Sequence, residues 1–336
     1  MDLARFKLEG LLGEGADLQV FSATDTATGD AVVLKRPHPT LVQRGQHGDV
    51  EGSLLHAKAL RDRPRSALPH LAQMIGHGRQ STGESYFGDR LENSYIVAVE
   101  RRARGLPLVG SASDAVKGMP VGLPQNLFVR HPVVPRRSGS PFTIATDLLD
   151  SAEAFLRAGH LLLDLRPQNV FFDPRSGSIE IVDLGGVVAP RQATRSRPQL
   201  DFHDVIVEMM RWYLPALDAP ATADGYRLPH LMDAMPSFAG AVEGMLEACS
   251  KLASGGVRDA TLRILEITRQ RGYEAFGSFR RDFDRLLHLM ADHYAELAGS
   301  KPVVDAWTEA LAQLRQPAWS KFLFAAQKDL EPYQVV

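Results

Sequence analysis

Two short stretches decide how this chain reads. They are Asp164-Leu-Arg-Pro-Gln-Asn169, followed at once by Val170-Phe-Phe172, and Asp183-Leu-Gly185, which closes the apolar run Ile179–Val182. Asp164 and Asn169 flank a proline-containing turn, and Asp183 lies across a pair of strand-like runs from them. Asp and Asn are common turn formers, so each stretch alone has a bland explanation. Together they supply one carboxylate base and two oxygen ligands for a hard cation. Magnesium takes few ligands from protein and completes its octahedron with phosphate and water.

Outward from these stretches the pattern is helical. Ile144, Leu148, Leu149, Ala152, Phe155 and Leu156 form a stripe of period 3.6 just upstream. Phe202, Val205, Ile206, Met209, Met210 and Tyr213 predict a helix downstream, and Phe279 to Tyr294 predict a later one. The first hundred residues read as strands: Leu8–Leu12, Gln19–Ala23, Ala31–Lys35, Leu71–Gly78 and Tyr95–Glu100. One helix interrupts them at Glu51–Leu60, closed by Pro64 and Pro69. Residues 101–141, rich in Gly, Pro, Ser and Arg, show little periodicity. They read as a long insertion, functional or poorly ordered, with the domain boundary at its start. The expected class is therefore α+β. A small β-rich lobe (1–100) precedes a larger, mainly helical lobe (101–300) and a helical tail (301–336), with a nucleotide-sized cleft between the lobes as the natural site.

Within the β-rich part, Leu12-Gly-Glu-Gly-Ala-Asp-Leu-Gln-Val20 joins two strands. Gly13 and Gly15 would let a backbone approach phosphates, and Val20 could cover a base, although glycine is also ordinary in a hairpin turn. Val32-Val-Leu-Lys35 ends an apolar strand in an ammonium that could bind α- and β-phosphates. Glu51 on the following helix could hold it by an ion pair. A snorkelling lysine beside an unrelated surface glutamate is the plainer alternative.

All four pieces, in this order, resemble the eukaryotic-like (Hanks-type) protein kinases in the bacterial serine/threonine style. The resemblance covers residues 5 to 215 by motif and extends more loosely to 297. It implies a bilobal kinase-like fold and an ATP- and Mg²⁺-dependent transfer of the γ-phosphate to a protein hydroxyl, including autophosphorylation. It also implies roles. Lys35 contacts the phosphates and Glu51 orients it; Asp164 is the base, and Asn169 and Asp183 hold Mg²⁺. Val20 and Val33 lie above the adenine with Phe171 below, and Glu100 stands at the nucleotide site. Leu55, Leu162 and Leu184 fall on the family's apolar spine.

The departures carry information too. Leu18 replaces the third loop glycine. Leu162-Leu-Asp164 lacks the arginine that answers a phosphorylated activation loop, so constitutive or partner-driven activity is expected. Arg166 stands where a lysine is usual and retains a catalytic role as a hydrogen-bond donor to the transferring phosphate. The segment from Val188 to Pro198, with Arg191, Arg195 and Arg197, is short, and no Ala-Pro-Glu precedes Asp204. That removes much of a peptide-docking platform and leaves two alternatives open: a kinase-fold enzyme acting on a small molecule, and a nucleotide-binding pseudokinase scaffold.

Composition narrows the rest. The 336 residues carry a formal net charge of −2 and a pI near 6.6, which gives no electrostatic reason to expect nucleic acid. A single cysteine, Cys249, excludes an internal disulfide or a multi-cysteine metal site and reads as a packed thiol. No secretory signal or membrane-length apolar run is evident, so a soluble cytoplasmic protein without a membrane partner is expected. The eleven histidines show no ligand-like spacing. In the tail, Trp307, Trp319, Phe322 and Phe324 predict docking onto the helical lobe, or a protein-binding surface if exposed.

Overall fold

The computed structural model describes residues 1–64, 67–84, 86–134, 140–194, 197–216, 237–252 and 255–333. The chain is α+β, with a five-stranded antiparallel sheet in its N-terminal part and helices in its C-terminal part. It divides into two compact units, Met1–Ala103 with Glu180–Gly185, and Arg104–Ile179 with Gly186–Val336.

The first unit is built on β1 (Phe6–Glu14), β2 (Leu18–Asp25) and β3 (Ala31–Pro37). Helices α1 (Pro39–Gln43) and α2 (Gly48–Arg61) follow, then β4 (Met74–Gln80), a small pair β5 (Gly83–Glu84) and β6 (Arg90–Leu91), and β7 (Tyr95–Arg101). The main sheet runs β1-β2-β3-β7-β4. Strand alternation sorts its side chains. Ala23, Val32, Leu34, Val97 and Val99 pack with Phe6 and Tyr95 in one core. The pairs Val20 with Lys35, Ser22 with Val33, Val33 with Glu100 and Lys35 with Ala98 make up the opposite face.

Helix α2 buries Leu54, Ala57 and Leu60. These lie three residues apart on one face, and Leu55 is turned about 100° away. Leu55 is 41% exposed, so it is not the buried spine residue expected, whereas Leu162 and Leu184 are buried.

The second unit contains β8 (Leu106–Pro107), α3 (Ala112–Val116) and α4 (Leu123–Gln125), the last running into a π-helical turn at Asn126–Arg130. Helix α5 (Thr143–Arg157) precedes β9 (Leu161–Leu162), β10 (Val170–Asp173), β11 (Ser178–Ile181) and β12 (Val187–Val188). The helices α6 (Phe202–Tyr213), α7 (Phe238–Ser250), α8 (Gly256–Arg269), α9 (Phe276–Ala298), α10 (Lys301–Gln313) and α11 (Ala326–Asp329) complete it. The strands form two small sheets, β11-β10-β8 and β12-β9.

Two expectations are corrected here, and the docking expected of the tail onto the helical part is found. The stretch from 104 to 134 is not a plain loop, because Leu106, Leu123 and Leu127 on its short elements and Leu108 and Val109 between them are fully buried. Residues 135–139 of the expected insertion, like Arg195, lie outside the described residues. The division falls after Ala103 rather than after Glu100, because Arg101 and Arg102 still donate to the carbonyls of Gln73 and Ala31. The tail is not a separate segment. Trp307 donates its indole N–H to the carbonyl of His131, Gly105 donates to the carbonyl of Leu323, and Trp319, Leu330 and Tyr333 are buried.

Cys249 is buried and burial pushes its thiol up. Among the described residues, no helix is long and apolar enough to cross a membrane.

Candidate functional site

In the first unit the site residues gather on the sheet face opposite the core. Lys35, only 7% exposed, donates to the carbonyl oxygen of Val182 at 2.6 Å and pairs with Glu100 Oε2 at 2.9 Å. Residues 147 apart in sequence thus meet within one unit, directly before Asp183. Asp183 turns one carboxylate oxygen back onto the N–H of Gly185 at 2.9 Å. Its other oxygen has no partner among the described residues.

Glu51 does not hold Lys35. It sits in the first turn of α2, where its carboxylate accepts the backbone N–H of Ile96 at 2.5 Å. The pleat of β7 places Glu100 diagonally from Lys35 on the same sheet face, and Glu100 takes that part instead. This also changes the expectation for Glu100 as a nucleotide contact. It is 2% exposed, and its carboxylate is shared between Lys35 and Arg61, the latter at 2.6 Å. Arg61, from the last turn of α2, donates to the carbonyl of Val182 as well, at 2.9 Å. Sequence reading passed over Arg61. Its only signal was a basic residue at a helix C-terminus, where cations are common.

The glycine turn needs no glycine for its own geometry. Gly13 pairs with Val20 in the β1–β2 ladder, and Gly15 donates to the carbonyl of Leu18. Neither has a positive φ. A Cβ at Gly13 meets nothing within 4 Å, and one at Gly15 only touches the carbonyl of Leu18 at 4.0 Å. Val20 and Val33 lie on the same sheet face as Lys35.

In the second unit the loop after β9 carries the remaining residues. Asp164 has φ +59°, a left-handed conformation that Asp tolerates better than most side chains. One carboxylate oxygen accepts Arg166 Nε. The other accepts Asn169 Nδ2 at 3.2 Å, which also donates to the Asp164 carbonyl at 3.1 Å. Both partners of the Asn169 amide nitrogen are acceptors, which fixes the amide's orientation and leaves Oδ1 without a partner among the described residues. Phe171 in β10 pairs with Pro107 and packs its ring against Phe322 of the tail.

Two residues on α6 face this loop: Tyr213, read from sequence only as core, and Glu208, which the sequence pattern did not single out. Tyr213 donates its hydroxyl to the carbonyl of Leu165 at 2.5 Å, and the buried Glu208 carboxylate lies near the backbone of the same residue. Glu208 accepts the Trp212 indole N–H at 3.3 Å. Burial, reinforced by the charge of Asp164, raises Glu208 to about 7. Close contact from the other side comes from the turn just before β12. A Cβ on Gly186 would lie 2.4 Å from the carbonyl oxygen of Leu163 and 2.5 Å from Asp164 Cβ.

Beyond this loop, Arg191 and Leu200 exchange backbone hydrogen bonds, which close the short basic segment on itself. Asp201 caps α6, Asp204 completes its capping box, and both pair with Arg271. Among the described residues no group of three or more His, Cys, Asp or Glu gathers as a metal cluster. No protein-family model matches the chain, and no curated protein is significantly similar to it.

Proposed function

We propose that the chain is an ATP- and Mg²⁺-dependent phosphotransferase that moves the γ-phosphate to a hydroxyl, with serine or threonine in protein as the first acceptor class. The observation that carries this reading is the Lys35–Val182 hydrogen bond. It ties a buried ammonium to the backbone just before Asp183, although the two belong to distant motifs.

In this reading Lys35 binds phosphate oxygens, and the open backbone at Gly13 and Gly15 gives phosphates room. Val20 and Val33 offer an apolar surface for the base. Asp183 and Asn169 would be the protein's ligands for Mg²⁺, and each keeps one oxygen free, which suits a hard cation that takes oxygen donors. That ion, when bound, supplies charge neutralisation on the phosphates. Asp164 accepts the acceptor's hydroxyl proton as the new O–P bond forms and ADP departs. Each of its oxygens already accepts one hydrogen bond and retains a further lone pair.

A second acceptor class, a small hydroxylated molecule, is favoured by the segment closed at Arg191 and Leu200, which is too short for an extended peptide platform. One assay tests both. Purified protein receives labelled ATP and Mg²⁺, alone, with generic protein acceptors, or with a metabolite pool, beside Asp164→Asn and Asp183→Asn. Transfer to serine or threonine, reduced at least ~100-fold in either variant, is expected. Transfer only with the metabolite pool selects the second class, and nucleotide binding without turnover under any condition overturns the enzyme assignment.

A further inference from the structure

The first unit buries two cations, Lys35 and Arg61, around one carboxylate, Glu100, and one carbonyl, that of Val182. Two positive charges against one negative leave the cluster with an excess of one positive charge. Buried ion pairs lose much of their attraction to desolvation and are weak sources of stability. Arg61 also keeps a buried Nε–H without an acceptor. What the arrangement does provide is fixed position together with a surplus of charge.

A lysine and a glutamate alone would form a closed, neutral pair. The glutamate would orient the ammonium and also offset most of the charge that a phosphate needs. Here Arg61 supplies the second cation on the same carboxylate, at 2.6 Å from its other oxygen. Glu100 can then hold Lys35 while Lys35 keeps an uncompensated charge. By donating to the carbonyl of Val182, Arg61 also steadies the backbone that leads into Asp183. Helix α2 is fastened to β7 at both ends, by Glu51 on the N–H of Ile96 and by Arg61 on Glu100. The helix therefore contributes a cation to this cluster and uses its carboxylate as an anchor.

We infer that Arg61 is a positioning residue for phosphate recognition, which acts through Glu100 to keep Lys35 aimed at an anionic ligand with its charge only partly offset by the carboxylate. This rests on the phosphotransferase reading above.

The test uses the full chain and the variants Arg61→Gln, Arg61→Lys, Glu100→Gln and Glu51→Gln, with circular dichroism to confirm folding. Affinities for Mg²⁺-ATP and for adenosine, which lacks phosphate, are measured on each. Lys35 acylation by an amine-reactive ester is followed by peptide mass spectrometry without nucleotide. Arg61→Gln is expected to weaken ATP about 10-fold with adenosine changed less than twofold, and Arg61→Lys to restore most of the loss, in line with one lost charge contact. Lys35 labelling should slow in Arg61→Gln, where the pair closes, and accelerate in Glu100→Gln, where the ammonium is released. Equal losses for ATP and adenosine would make Arg61 merely structural and overturn the inference. A larger effect on labelling in Glu51→Gln than in Glu100→Gln would also overturn it. If the wild type binds neither ligand, the phosphotransferase reading fails, and with it any role toward phosphate. The labelling order then still decides separately which carboxylate holds Lys35.

Discussion

Tyr213 donates its hydroxyl to the carbonyl oxygen of Leu165 at 2.5 Å, from a position with no exposure to solvent. With Glu208 buried near the same residue, α6 meets the loop at Leu165 and holds it by its carbonyl. Leu165 follows Asp164, whose left-handed backbone needs support from its surroundings. Tyr213→Phe leaves a buried carbonyl without its donor, at a cost of about 1–2 kcal/mol in denaturant unfolding. Turnover should fall about 10-fold with the KM for ATP nearly unchanged, because the slackened group, Asp164, is the proposed base.

Glu208 gives stability a pH dependence of unusual sign for a carboxylate. Its folded value, about 7, lies above the ordinary 4.5, chiefly because it is buried and also because Asp164 is near. The folded protein therefore holds a proton that the unfolded chain has released. Stability from this group is complete below pH 4.5 and is lost as pH rises through 7, by at most ~3 kcal/mol. Glu208→Gln should flatten the stability profile between pH 5 and 8, measured by urea unfolding. An unchanged slope would place the titration elsewhere.

Gly186 and Gly15 make opposite predictions. Gly186→Ala drives a methyl group into the carbonyl of Leu163 and the Cβ of Asp164, so the loop or β12 must shift. A loss of roughly 1–3 kcal/mol is expected, the range of overpacked sites, together with a large fall in activity. Gly15→Ala meets only the carbonyl of Leu18 at ordinary contact distance and should leave the melting temperature within a degree or two. Any loss of ATP affinity in that folded variant reports on the ligand, because the hairpin itself does not require the glycine.

The tail belongs to the core of the second unit. Removing residues 315–336 strips away Trp319, Leu330 and Tyr333, all buried, and uncovers Phe128 and Phe171. At about 1.5–3 kcal/mol for each large buried side chain, the loss is at least ~5 kcal/mol. A shortened protein of that kind should bind a hydrophobic dye and melt many degrees earlier. Unchanged melting would mean that the tail only rests on the surface.

Much of this architecture was legible because period and punctuation agree. The strands at Gln19–Ala23, Ala31–Lys35 and Tyr95–Glu100 are short apolar runs bounded by turn residues, and the stripe from Ile144 to Leu156 keeps helical spacing over more than three turns. The stretch from 104 to 134 was not legible, because a two-residue strand, a five-residue helix and a π-helical turn are too short to show a period. Its leucines are buried without any rhythm. The partner of Lys35 was hidden for another reason. Choosing between Glu51 and Glu100 depends on which face of β7 meets β3, and that register is a tertiary property. The grip of Tyr213 on Leu165 was invisible because a core-facing helix residue and a loop-anchoring one have the same spacing.

The segment Glu180–Gly185 completes a unit whose other residues all precede Arg104. During translation, the N-terminal sheet emerges before the carbonyl of Val182 exists, so for a time Lys35 and Arg61 have Glu100 but no main-chain acceptor. At 5–20 residues per second the interval is on the order of ten seconds, long enough for a chaperone to engage the unfinished face. A fragment ending at Ala103 would be frozen at that stage, and an excised version would have to graft the later strip on through a linker.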